Sequence, residues 1–186
     1  MKQQLISTLT ILNKKHTILY PTDTVWGIGC DATSEVAVQK IFEIKQRAES
    51  KSLIILVDGV EMLKEYVSDI PEKVIELLKN TQKPTTIIYK NPRGLAENVI
   101  AEDNTVAIRI VKHAFCEQLI NAFGKPIVST SANVSGAETP ASFEKISSSI
   151  LNSVDYIVNL QLENESTNSS TILRLLDNGE FEVLRK

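Results

Sequence analysis

The chain has 186 residues, 42% of them hydrophobic and 23% charged, with a formal net charge of −3. That balance suits one globular domain able to bury a core without metals or disulfides, and it argues against a uniformly basic nucleic-acid coat protein. Two cysteines, Cys30 and Cys116, form no C-x-x-C pair and read as small buried thiols. The N-terminus has no signal-peptide core, and no apolar run is long enough to span a bilayer. The expectation is a single cytoplasmic domain over residues 1–186 that does not engage membrane.

Strand-like and helix-like segments alternate along the chain. Residues 17–20 are short, apolar and β-prone, and stop at Pro21. Ser34 reads as the N-cap of a helix that carries Val38, Ile41, Phe42 and Lys45 on one side. Residues 53–57 are continuously apolar, as a strand buried on both faces should be. Helices are expected at 61–67 and 72–79, divided by Pro71, then strands at 85–89 and 105–110. Residues 114–123 have helical spacing and are stopped by Gly124. A strand at 126–128 runs into a run of hydroxyls, and Pro140 and Ser142 open the next helix. Late strands are expected at 156–160, 171–175 and 181–184, with a polar mobile loop at 163–170. The alternation predicts an α/β (α+β) fold with a twisted mixed sheet flanked by helices.

The phosphate-loop, zinc-hydrolase and nucleophile-elbow signatures are absent, and Gly27-Ile28-Gly29 lacks the third glycine of a dinucleotide fingerprint. Only His16 and His113 supply imidazoles, so histidine-centred chemistry is disfavoured. Polar clusters at strand ends stand out instead. Residues 21–29 pass from a proline to hydroxyls, a carboxylate and two glycines; this is either a capped turn or a loop that holds a small polar ligand. Lys45, Arg47 and Lys51 surround a helix end, where they either complement the helix dipole or face phosphate oxygens in a cleft. Residues 129–136 offer hydroxyls and an amide, either as capped turns or to an anion.

Taken together, "YPTDTVWGIGCD", "KQR" before "SLIILV", "TVAIR", "GKPIVSTSANVSG" with Thr139-Pro140, and the late "SST" and "VLR" resemble the YrdC/TsaC family of threonylcarbamoyl-AMP synthases. The ordered set spans residues 20–185 and looks like the short, single-domain form. The resemblance implies a YrdC-like sheet around a large, concave, basic site. It implies that L-threonine, bicarbonate and ATP give threonylcarbamoyl-AMP and pyrophosphate. A downstream transferase complex then modifies adenosine 37 of tRNA. Mg²⁺ is expected to be held mainly by ATP phosphates.

By the same resemblance, Thr24, Arg109, Ser129 and Ser170 fall at threonine-binding positions. Arg47, Lys51, Thr105, Ser131, Asn133, Thr139 and Arg185 fall at nucleotide positions, and Lys45, Arg47 and Arg109 are the expected catalytic cations. The chain departs from the family pattern at Ala48, where proline is frequent, at residues 81–84, and at Leu56, where some members carry histidine. In the expected mechanism the cations offset repulsion between a threonine carbamate and the triphosphate, and proximity supplies the rest. The competing readings are a non-catalytic module that binds tRNA or double-stranded RNA, and a domain that uses carbamoyl phosphate.

Overall fold

The computed structural model describes residues 1–47, 53–162, 169–176 and 178–186. Helix α1 (Lys2–Asn13) leads into strands β1 (Ile18–Tyr20) and β2 (Gly27–Gly29), then helix α2 (Glu35–Lys45) and β3 (Ile54–Val57). Helices α3 (Val60–Tyr66) and α4 (Glu72–Asn80) precede β4 (Thr85–Lys90) and β5 (Thr105–Ile110). Helix α5 (Ala114–Phe123), β6 (Ile127–Ser131), the single turn α6 (Ser148–Leu151), β7 (Tyr156–Ile157), β8 (Thr171–Leu175) and β9 (Phe181–Arg185) complete the chain. Among the described residues the strands form one nine-stranded mixed sheet in the order β7-β1-β2-β6-β3-β5-β4-β8-β9. The β1/β7, β3/β5 and β4/β8 pairs are parallel and the rest antiparallel.

Each face of the sheet packs against its own helices. Ile55, Val57, Ile87, Ile108 and Val128 meet the apolar side of α2. Alternate residues point the other way, so Ile18, Tyr20, Leu56 and Ile127 meet Phe115, Leu119 and Ile120 of α5 and Leu12 of α1. The uninterrupted apolar run in β3 follows from this burial on both faces.

Three departures from the sequence expectation concern whole elements. Helix α1 was not foreseen: Leu5, Leu9 and Leu12 recur at helical spacing on a modestly amphipathic segment, which packs into the core that α5 helps to form. Strand β2, read as loop, is a strand because its glycines are paired on both sides, with β1 and with β6. The helix expected after Pro140 is a 3-10 turn at Phe143–Lys145 followed by the single turn α6.

Close approach requires glycine at position 29 of β2. A Cβ on Gly29 would lie 2.5 Å from the Val128 carbonyl oxygen and 2.7 Å from the Tyr20 ring, which lies against the strand. Neither neighbour is the free end of a flexible chain, so Gly29→Ala is expected to lower stability by about 2 kcal/mol or more. Urea unfolding measures this; a change below about 0.5 kcal/mol would show that the strand yields without strain.

Candidate active site

Residues paired directly across a sheet share a face. One such row crosses six strands: Ile127, Leu56, Arg109, Thr86, Ile172 and Arg185. The adjacent row brings Ser129, Ile54, Ala107 and Ile88 to the same face. Helix α5 covers one end of this face. The other end opens into a cavity of about 320 Å³ with Ile54, Ala107 and Ile88 in its wall. Thr24, Arg109, Ser129 and Ser170 line it, as do Arg47, Ser131, Thr139 and Arg185. Eight residues far apart in sequence therefore converge on one cavity.

Arg109 is the most deeply buried of the three arginines that line the cavity. Its Nη2 lies 3.0 Å from Asp23 Oδ1, with side-chain exposures of 3% and 7%, and donates to Thr24 Oγ1 at 3.3 Å. The loop that carries Asp23 is anchored at the end of β5. Lys112 N–H donates to Asp23 Oδ2 at 3.3 Å, and the Cys116 thiol donates to the Pro21 carbonyl at 3.2 Å. Burial together with the Asp23 charge pushes the Cys116 thiol pKa well up, so it serves as a neutral donor. Asp23 compensates Arg109 at its core; the sequence offered it only as one carboxylate in a polar loop.

Arg47 and Arg185 are the other two arginines in the cavity wall. Burial lowers the Arg47 pKa from its ordinary value. Burial, and then the charge of Arg109, does the same to Arg185. Arg185 is held by Ser170, donating from Nε to its carbonyl at 3.0 Å and from Nη2 to its Oγ at 3.1 Å. Ser170 Oγ in turn lies 2.8 Å from Thr86 Oγ1. Both guanidiniums would regain their charge preference by meeting an anion.

Three predicted residues occupy supporting positions rather than the cavity wall. Lys45, 1% exposed, donates from Nζ to the carbonyls of Ser131 at 2.6 Å and Asn133 at 2.7 Å. Its own carbonyl accepts Ser135 N–H at 2.8 Å, so the end of α2 is tied to the 131–135 segment from both directions. Burial, then the nearby Arg47 charge, pulls the Lys45 pKa down to about 8. Gln46 follows in the left-handed region at φ 48° and turns the chain so that Arg47 reaches the cavity. Asn133 Nδ2 donates to the carbonyls of Val134 at 3.1 Å and Ala137 at 2.7 Å, shaping the loop before Thr139. Thr105, at the start of β5, donates to Asp103 Oδ1 at 2.6 Å. Lys51, Ala48 and most of the expected 163–170 loop lie outside the described residues.

The family model for Sua5/YciO/YrdC, described as telomere recombination, matches residues 10–186. The chain is 33% identical over 178 residues to the threonylcarbamoyl-AMP synthase of Pseudoalteromonas translucida (strain TAC 125), a match covering 94% of this chain and 95% of that one. Its fold is similar to P. abyssi Sua5 complexed with L-threonine, with a TM-score of 0.89 and 26% identity over 100% of this chain and 54% of that one. It thus spans about half of that longer protein. E. coli YciO shares the fold with a TM-score of 0.87 at 23% identity, over 100% of this chain and 90% of that one.

Removing one member of a buried ion pair leaves the other desolvated and uncompensated, at a cost of about 3–5 kcal/mol; replacing both is often nearly neutral. Asp23→Asn and Arg109→Met are therefore each expected to destabilise the fold by about 3 kcal/mol, and the double variant by less than their sum. Denaturant unfolding of the four proteins closes the cycle. Additive losses, or single losses under about 1 kcal/mol, would contradict the pairing.

Proposed function

The chain belongs to the Sua5/YciO/YrdC family, and from this we infer that it is an L-threonylcarbamoyladenylate synthase acting in tRNA modification. The observation that carries the reading is one cavity with two electrostatic characters. Hydroxyls surround a neutralised arginine at Thr24, Arg109, Ser129 and Ser170. Arg47 and the more exposed Arg185 flank further hydroxyls at Ser131 and Thr139. The first group suits a zwitterionic amino acid and the second a triphosphate.

In this reading the threonine amine adds to carbon dioxide derived from bicarbonate and gives a carbamate, with loss of a proton. A carbamate oxygen attacks the α-phosphorus of ATP. The bond to the bridging oxygen breaks, and pyrophosphate leaves with the electron pair. As a transferase of the nucleotidyl class, the enzyme has little covalent work to do. Arg47 and Arg185 offset charge on the phosphates, while Arg109 and the hydroxyls align the carbamate. Lys45 supports this arrangement through the 131–135 segment. Lys51, Thr105 and Asn133 are proposed as further nucleotide contacts.

Among the described residues no three His, Cys, Asp or Glu side chains gather as a metal site, and Asp23 is committed to Arg109. Mg²⁺ is proposed to enter as part of the substrate MgATP, on phosphate oxygens and water. No helix among the described residues is long and apolar enough to cross a membrane, and a cytoplasmic site of action belongs to the proposal. So do tRNA as the eventual acceptor and the transferase complex that takes the adenylate.

Steady-state kinetics on two variants test the assignment. Arg47→Ala should lower kcat/KM for ATP by about 100-fold with the fold intact. Thr24→Val should raise the KM for threonine by about tenfold and that for ATP by less than about twofold. Equal effects of Thr24→Val on both substrates would remove it from the threonine side. Unchanged kinetics of Arg47→Ala, together with steeply salt-dependent RNA binding, would favour the RNA-binding reading.

A further inference from the structure

The hydrogen bonds of the 22–25 loop determine which way the Thr24 hydroxyl points. A threonine hydroxyl has one proton and two lone pairs. Thr22 Oγ1 donates its proton to the Val25 carbonyl at 2.7 Å, an oxygen that can only accept. It accepts the Thr24 backbone N–H at 3.1 Å. Its third contact is Thr24 Oγ1 at 3.0 Å. With the Thr22 proton already used, the proton in that contact comes from Thr24. Thr22 Oγ1 is then saturated, and Thr24 Oγ1 keeps only lone pairs. One of these accepts Arg109 Nη2–H at 3.3 Å; the other is left for the cavity that Thr24 lines and that Thr22 does not reach. Space for this arrangement comes from Gly27, where a Cβ would lie 3.3 Å from Thr22 Cγ2 and 3.0 Å from Ser129 Oγ.

We propose that Thr22 is a positioning residue that holds the Thr24 hydroxyl as a hydrogen-bond acceptor, so that the amino-acid substrate meets it with an N–H or O–H donor. The proposal rests on the synthase reading and deepens it. A carboxylate or ether oxygen placed there would set lone pair against lone pair. The threonine carboxylate is thereby directed away from Thr24, and the amine or the β-hydroxyl towards it. Discrimination comes from a residue with no substrate contact, through the direction of one proton.

The test is calorimetric titration of L-threonine, O-methyl-L-threonine and N,N,N-trimethyl-L-threonine into the wild type, Thr22→Val and Thr22→Ser. At least one analogue should bind the wild type and Thr22→Ser about tenfold or more weakly than L-threonine. Loss with the O-methyl compound identifies the hydroxyl as the donor, and loss with the N,N,N-trimethyl compound, which has no N–H, the amine. In Thr22→Val the freed Thr24 proton can turn to the cavity, so that penalty should shrink to below about threefold. The same penalty in all three proteins would mean steric exclusion and would overturn the proposal. Equal affinity of the wild type for all three compounds would overturn it even if Thr22→Val failed to fold. Adenylate formation by the wild type separates the two claims. A protein that makes adenylate but shows uniform penalties keeps the synthase reading and loses the role of Thr22; one that neither binds L-threonine nor makes adenylate loses both.

Discussion

A guanidinium in the middle of a sheet face is tolerable only with a carboxylate against it. β5 delivers Arg109 to that position, 3% exposed and between Leu56 and Thr86 on the neighbouring strands. The loop after β1 must therefore fold over the sheet and bring Asp23 to meet it. Once Asp23 is anchored by Lys112 N–H, Thr24 is set beside Arg109 and the hydroxyl order of the loop follows. The two glycines of β2 let Tyr20 and Ser129 pack close beneath this loop. The fold spends stability on a buried charge and gains a rigid, neutralised amino-acid pocket in return.

The other side of the cavity is built on a different principle. Arg47 and Arg185 are held where burial disfavours their charge. Arg185 is fixed by Ser170, and Arg47 follows a helix end that Lys45 ties to the 131–135 segment. Two guanidiniums whose charge burial disfavours gain from meeting an anion in the cavity they line. A zwitterion and a polyphosphate thus find distinct surroundings within one cavity.

How much of this was legible in the sequence depends on the range of the interaction. The apolar run of β3 and the β-prone stretch Thr105–Ile110 are local, and they placed these two strands correctly. The hydroxyls at Ser129 and Ser131 share a face by the strand period of two, although they were read as loop beyond a shorter strand. Helix α1 and strand β2 depend on partners distant in sequence, α5 in one case and β6 in the other. Lys45 looked like a cation at a helix terminus, and nothing local pointed to carbonyls 86 and 88 residues away. Asp23 and Thr22 belonged visibly to the polar loop, but only the three-dimensional pairing separates the carboxylate that neutralises Arg109 from the hydroxyl that orients Thr24.

The central claim is that one cavity joins a threonine carbamate to an adenylyl group. The most direct measurement is mass spectrometry of the wild-type protein incubated with MgATP, L-threonine and ¹³C-bicarbonate. The account predicts threonylcarbamoyladenylate carrying a single ¹³C, with pyrophosphate, only when all three substrates are present. No adenylate from folded protein, or adenylate without the label, would contradict it.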